Sequence, residues 1–334
     1  MKRNVKIAMA GLAHIHGTGF LKKALTYEGV SILGFYDKDN PENARQASEE
    51  FGAPVFDDLD ALFATGANTL LTARINSDKP EYIIRALEAG LGVIADKPMA
   101  TRMEDVLAIE AAAKKSGAPL YLMLTERFGE AICTAKKLID EGKIGTVAQQ
   151  YLVRPHRLHP TKRPDWMYDH ARYGGLINDI GVHDVDLARF FSGQEVKSIL
   201  ASHTALARHP QFTDFWDTGM TMMEMADGSV ATVAVNWLTP DAYHSHGDTR
   251  FYITGTKGYI EISTVNKTVR FYSDTEQEQY VPVEPLPMTV EEDALNAMSD
   301  WSYRPAVTTH DSIEATRATL LAQIAADNYR KSRQ

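Results

Sequence analysis

The chain is predicted to be a two-part α/β protein: an N-terminal doubly wound parallel sheet, then an α+β domain with a large, mostly antiparallel open sheet. Three observations predict it. Over residues 1–125 short apolar runs alternate with stretches of helical periodicity. Alternation on that length scale is the signature of a parallel sheet covered on both faces. From residue 126 to 334 the pattern changes to longer, alternating, β-rich segments with hairpin turns, as in an antiparallel sheet. No internal repeat, low-complexity tract or long linker interrupts either part.

The elements follow in order. The runs VKIAMAG (5–11), VSILGFYD (30–37), NTLLTARI (68–75), GVIADKP (92–98) and PLYLMLTE (119–126) read as the five strands of the first sheet. Between them, PEYIIRALEAG carries Ile83, Ile84, Leu87 and Leu91 at helical spacing, stopped by Gly90, and MEDVLAIEAAAKKSG reads as another helix. EAICTAKKLIDEGKIG then reads as a connecting helix. GMTMMEMADGSVATVAVNW, with a turn at Asp227-Gly228, and TRFYITGTKGYIEISTVNKTVRFYS read as hairpins. The last helix, SIEATRATLLAQIAADNYRKS, is a candidate to pack back on the first domain.

Composition narrows the function classes. A net charge of −9 argues against non-specific binding to nucleic acid or to an anionic membrane. A single cysteine, Cys133, rules out an intramolecular disulfide and fits a reducing compartment. The N-terminus MKRNVKIAMAGLA has basic residues and an A-x-A-like end, but Lys6 cuts its apolar run short. A buried first strand and a cytoplasmic enzyme are therefore expected.

The stretch GLAHIHGTG after the first strand is an imperfect Gly-x-Gly-x-x-Gly fingerprint. Its three glycines serve a tight turn, close approach of backbone to a pyrophosphate, and close helix–strand packing. Gly11 meets the first demand, Ala13 adds a methyl at the second, and His16 stands at the third, with Gly17 and Gly19 just beyond. A helix beginning slightly later would still present its amides to an anion. Asp37 ends the second strand, 26 residues after Gly11, where an acid accepts hydrogen bonds from ribose hydroxyls and disfavours a 2′-phosphate. NAD is thus expected over NADP, with Lys38 a reason to keep NADP open.

Three motifs carry chemistry. In ADKPMAT, Lys97 stands at a strand end, where a lysine favours an alkoxide over its alcohol. In GGLINDIGVHDVDLARFF, Asp179, His183 and Asp186 would share a helix face. Histidine is the natural general base near neutral pH, and a neighbouring carboxylate raises its basicity. Gly174 and Gly175 would let the chain pack close to a bound ring. The same D-x-x-x-H-x-x-D spacing, with His156, His159 and His170 nearby, also suits a metal; no metal is expected. In TERFGEAICTAKKLIDEGKIGTV, Arg127 follows a sheet strand and would support the site or the packing of the domains. The segment RPHRLHPTKRPDWMYDHARYGG (154–175) offers Arg154, His156, Lys162, Arg163, Asp165, Trp166 and Tyr168 as polar groups and aromatic faces for a substrate.

Taken together and in order, these motifs resemble the glucose–fructose oxidoreductase / inositol dehydrogenase / rhizopine catabolism (Gfo/Idh/MocA) family over nearly the whole chain. The residues that carry the resemblance are the first turn, Asp37, Asn76, DKPMAT in place of Glu-Lys-Pro, RF…LIDEGKIG, GGLINDIGVHDVDL and TGTKGYIEI. The resemblance implies a Rossmann-type NAD(P)-dependent oxidoreductase acting on a sugar, polyol or cyclitol. It implies Lys97, His183 and Asp179 as catalytic residues, and Gly11, Ala13, His14, Ile15, His16, Asp37, Lys38, Asn76, Asp96 and Lys97 around the cofactor. Arg127, Arg154, His156, Trp166, Tyr168, Asp179 and His183, with Lys97, are expected around the substrate. A homo-oligomer through the second domain's sheet is implied as well. Asp96 for glutamate, and His14 and His16 in the first turn, depart from the usual pattern. An NAD-dependent glycosidase and a non-catalytic NAD-binding regulator are alternatives within the same fold, and a metal hydrolase is one outside it.

Overall fold

A computed structural model of the chain describes residues 3–333. Met1, Lys2 and Gln334 lie outside them, so the reading of the N-terminus as a strand rather than a leader is followed from Arg3 onward. The strands are β1 Val5–Ala10, β2 Val30–Tyr36, β3 Thr69–Thr72, β4 Gly92–Ala95, β5 Leu120–Leu122, β6 Val147–Pro155, β7 Val196–Ala205, β8 Thr218–Met225, β9 Val230–Asn236, β10 Arg250–Gly255, β11 Gly258–Ser263, β12 Thr268–Ser273 and β13 Gln279–Val281. The helices are α1 Ile15–Ala24, α2 Pro41–Phe51, α3 Leu59–Phe63, α4 Lys79–Glu88, α5 Met103–Ser116, α6 Glu130–Asp140, α7 His170–Tyr173, α8 Leu176–Asp179, α9 Gly181–Ser192, α10 Val290–Ser299 and α11 Thr309–Lys331. The chain forms two compact units, the first of Met1–Leu124, Ala171–Gly174 and Met288–Thr316, the second of Thr125–His170, Gly175–Pro287 and Arg317–Gln334.

In the first unit five parallel strands lie in the order β2-β1-β3-β4-β5. Every residue of β3 and β4 is buried, the two threonines that bound β3 included, as in a parallel strand with helices on both faces and no side turned to solvent. The strand order reverses between β1 and β3. Open α/β sheets bind ligands at such a switch point, beyond the carboxyl ends of the strands. α10 packs against α1, β1 and β4. The sulfur of Met298 lies so close to Gly92 that a Cβ there would meet it at 2.5 Å.

The second unit holds an eight-stranded sheet in the order β13-β12-β11-β10-β6-β9-β8-β7. All its pairings are antiparallel except β6 with β9. β9 alternates buried and half-buried residues along its length, so one face of the sheet forms a core and the other does not. α9 packs on β6 and β9, α6 on β11 and β12. The turn at Asp227-Gly228 forms as the sequence predicts: Gly228 takes φ +88° and Ser229 donates its N–H and its hydroxyl to the Asp227 carboxylate. β6, with two glutamines in its middle, and the polar β7 are strands that the sequence reading did not resolve. Arg154 and Pro155 consequently end a strand rather than open a loop.

Candidate active site

The first turn resolves the glycine puzzle. Gly11 has φ +74°, and a Cβ on it would meet the Arg74 Cβ at 2.4 Å, so glycine is required twice over. Its N–H donates to Tyr36 O, and its carbonyl accepts from Ala73 N–H, while His14 N–H donates to Ala73 O. The close helix–strand contact falls on Gly17 rather than on His16. A Cβ at Gly17 would lie 2.7 Å from the Ala73 Cβ and 2.8 Å from the Met9 Cε. The turn is thus one residue longer than the fingerprint, and His16, with half its side chain exposed, does not stand at the helix–strand contact. Ala13 is half-buried, and Ile15 opens α1 at 80% exposure.

Asp37 is buried, and its carboxylate accepts from Leu12 N–H at 2.8 Å, Asp39 N–H at 3.0 Å and Asn40 N–H at 2.9 Å. Burial pushes its carboxyl above the usual value, and the three N–H donors oppose that shift. Asp37 therefore ties the first turn to the end of β2. Lys38 is exposed. Behind the turn the buried Arg74 joins Asp39 at 2.7 Å and Glu81 at 2.7 Å, so a second acid stands with Asp37 after β2.

At the end of β4, Asp96 is buried and both its oxygens face histidines: Oδ2 lies 3.0 Å from His14 Nδ1 and Oδ1 3.1 Å from His16 Nδ1. Burial alone would raise this carboxyl, but the two imidazoles hold it well below the usual range. Burial lowers the His14 imidazole against the pull of Asp96. Lys97 N–H donates to Asp96 Oδ1 at 2.9 Å, Lys97 is half-buried, and the Lys97–Pro98 bond is cis.

Lys79, which the sequence reading passed over, organises this turn. Its Nζ is fully buried and donates to Asp96 O at 2.9 Å, Pro98 O at 2.8 Å and Asn76 Oδ1 at 3.2 Å. The flanking carbonyls of Lys97 are thereby fixed. Asn76, expected at the cofactor, is buried and donates its Nδ2 to Tyr173 O; it is part of the scaffold. One signal was available: a lysine in the first turn of a helix opposes the helix dipole, so it needs another reason to be there.

In the second unit the expectation of a single helix face for Asp179, His183 and Asp186 is corrected. Asp179 ends α8, and α9 begins at Gly181 after Ile180. His183 and Asp179 are both buried. Asp186 meets Arg127 through both oxygens, Nε–Oδ2 at 2.7 Å and Nη2–Oδ1 at 2.6 Å. Arg127 is therefore directed into the core as a brace between the 3₁₀ turn Thr125–Phe128 and α9, where substrate contact had been expected. Arg154 is corrected likewise. It is buried, with Asp184 at 2.8 Å and Glu126 at 2.9 Å. Burial pushes the Asp184 carboxyl up to about 6, and Arg154 opposes the shift. The ring expected to approach Gly175 is also replaced: a Cβ on this glycine (φ +89°) would meet the Gln323 amide at 2.3 Å, and Gln323 Oε1 accepts from Ile177 N–H.

The segment after β6 keeps its aromatic character. His156 lies 5.5 Å from the Trp237 ring and 4.5 Å from the His246 ring, and Arg163 sits over Trp237. Trp166 is buried, and Tyr168 stacks on Phe212 at 3.7 Å. Lys162 and Asp165 are exposed, and His170 pairs with Asp327 at 2.9 Å. Arg157 donates to the carbonyls of Pro240, Tyr243 and Ser245, and so holds loop 240–245 against this cluster. Among the described residues, the side chains gathered closely enough to share an ion are His14, His16 and Asp96; Asp179, His183, Asp186, His156, His159 and His170 do not gather in this way.

Comparison with known proteins decides the family. Residues 5–123 match the oxidoreductase family with an NAD-binding Rossmann fold, and residues 132–261 match the GFO/IDH/MocA C-terminal domain. The chain belongs to the Gfo/Idh/MocA family. It is an NAD-binding oxidoreductase. Inositol 2-dehydrogenase 2 of Saccharopolyspora erythraea is 27% identical over 70% of this chain and 67% of its own. The scyllo-inositol 2-dehydrogenase (NAD(+)) of Bacillus subtilis is 26% identical over 79% of this chain and 75% of its own. A solved structure from Erwinia carotovora atroseptica, described only as an oxidoreductase, matches with a TM-score of 0.88 at 28% identity, covering 96% of this chain and 98% of the other. The first turn of this chain carries two histidines, His14 and His16.

Proposed function

We propose that this chain interconverts a hydroxyl and a carbonyl group on a sugar, polyol or cyclitol, with Lys97 and His183 acting at the reacting oxygen. The observation that carries the reading is Lys97 at the carboxyl end of β4 in an NAD-binding unit, on a turn fixed by Lys79 from inside. The first turn fits a dinucleotide: Gly11 and Gly17 leave no room for a Cβ, and the exposed Ile15 at the start of α1 offers an apolar surface to a flat ring. His14, Ala13 and His16 complete that turn, and the acids Asp37 and Asp39 disfavour a 2′-phosphate. When bound, NAD supplies the hydride acceptor. His183 takes the hydroxyl proton as general base, Asp179 supports it, and the Lys97 ammonium favours the alkoxide. His156, Trp166 and Tyr168 belong to the aromatic segment that we assign to the substrate; the inositol dehydrogenases among the relatives support a cyclitol or related polyol.

We further infer a cytoplasmic homo-oligomer. Its support is the outer face of the second unit's sheet, where Tyr151, Leu200, Met220 and Met222 are each 39–49% exposed and contiguous. No helix among the described residues is long and apolar enough to cross a membrane. The substrate reading is tested with NAD and a panel of polyols and sugars, followed by reduced-nicotinamide absorbance. Lys97→Ala and His183→Ala are each expected to lower turnover at least ~10²-fold; near-normal turnover in both refutes the assignment. Met222→Asp is expected to shift the sedimentation coefficient toward a monomer.

A further inference from the structure

The first unit contains a group of side chains that the oxidoreductase reading does not use together. His14, His16 and Asp96 bring one ligand atom each to within 4.8 Å of one another. The two nitrogen–oxygen separations are 3.0 and 3.1 Å. Two ligands about 2.0–2.1 Å from a tetrahedral ion are about 3.3 Å apart, so these atoms lie near the edges of one coordination sphere. His14 adds a second observation. Its Nδ1 is buried and faces Asp96 Oδ2, yet it lies off the hydrogen-bond direction and has no hydrogen-bond partner. A buried lone pair against a carboxylate needs a proton or a cation between them.

The set is also held ready. His14 is fixed by its N–H to Ala73 O, and Asp96 by its N–H to Thr72 O. The Asp96 carbonyl is held by Lys79 Nζ, and its Oδ1 accepts the Lys97 N–H. Bonds of this kind orient the ligands of a metal and raise its affinity. His16 is half-exposed, which leaves an entry path and open positions for water.

We propose that His14, His16 and Asp96 form a binding site for one divalent first-row transition ion, of the zinc, cobalt or iron(II) class. Two imidazoles and a carboxylate with open positions select that class over magnesium or calcium, which take all-oxygen sites. The site lies within the first unit, and its test uses nucleotide-free protein, so it stands or falls separately from the dehydrogenase reading.

The experiment is titration of Co(II), and separately Zn(II), into the full, untagged, chelator-washed chain, by calorimetry and by the ligand-field absorption of Co(II). One ion per chain is expected at this site, with visible cobalt bands of a low-symmetry site. His16→Ala and His14→Ala are each expected to weaken binding at least ~10-fold, on the scale of lost metal-site partners. His16→Gln serves if the alanine variant melts early. The exposed pair His244 and His246 is a second source of imidazole, so the double variant His244→Ala/His246→Ala is measured too and is expected to retain the cobalt bands. Absence of stoichiometric binding overturns the proposal, as does binding that survives both His16 variants or is abolished by the His244/His246 change.

Discussion

Replacing Lys79 with methionine keeps the length of the side chain and removes its ammonium. Three oxygens lose a donor: Asn76 Oδ1, Asp96 O and Pro98 O, now served at 2.8–3.2 Å by a fully buried Nζ. A buried acceptor stranded in this way costs about 1–3 kcal/mol. Three of them therefore cost about 3–9 kcal/mol, while relief from burying a charge returns several kcal/mol. The net loss is about 3 kcal/mol. For a domain of 150–250 residues each kcal/mol moves the melting midpoint by roughly 2–4 °C, which gives a drop of roughly 6–12 °C in calorimetry. The carbonyls released are those flanking Lys97, so turnover is expected to fall as well. A displacement of about 1 Å at a reacting group is worth up to ~10²-fold, with KM changed less than kcat. A Lys79→Met variant that melts with the wild type would refute the reasoning, because the three bonds would then contribute nothing.

Gly17→Ala places a methyl 2.7 Å from the Ala73 Cβ; urea unfolding is expected to show a loss of about 1–3 kcal/mol, the usual cost of overpacking. Asp186→Asn removes the carboxylate charge that the buried Arg127 guanidinium meets through two hydrogen bonds, and equilibrium unfolding is expected to show a loss of about 3–5 kcal/mol. The pH dependence follows from Asp327. Burial would raise its carboxyl, but His170 and Arg330 hold it below the usual value. A depressed acid stabilises the fold above its unfolded value of 3.8 and loses that contribution as pH falls through its lower folded value. The fall in melting temperature on acidification below about pH 4 should therefore be smaller in Asp327→Asn than in the wild type; an equal fall in both would contradict this.

The parallel sheet of the first unit was legible because its central strands are covered on both faces and so read as mostly apolar runs, and because Gly90 and Gly117 mark the ends of α4 and α5. The hairpins β8–β9 and β10–β11–β12 were legible from alternation and turn residues. β6 was not: Gln149 and Gln150 interrupt its apolar pattern, and Gln150 is buried only because its amide donates to Ala188 O, 38 residues away. Separation along the chain also hid the roles of Arg127, whose partner Asp186 is 59 residues away, and of Arg154, whose partner Asp184 is 30 away. Each looked like a cation waiting for a ligand, and each is matched by a carboxylate that no spacing rule joins to it. Lys79 was missed for a related reason, since backbone carbonyls, its chief partners, leave no trace in side-chain composition. At the first turn the sequence posed the right question about His16. Only the position of Ala73 against Gly17 shows that the packing demand had moved by one residue.

The parallel pairing of β6 with β9 has a consequence for the order of synthesis. Gln149 pairs with Val230 on one side, and Gln150 with Ile253 on the other. Both neighbours of this strand are thus made long after it. At about 5–20 residues per second, the 81 positions from Gln149 to Val230 take on the order of 4–16 s to emerge. Through that interval β6 has neither edge paired within its sheet, and the nascent chain must be kept from joining another chain's edge until β9 and then β10 arrive.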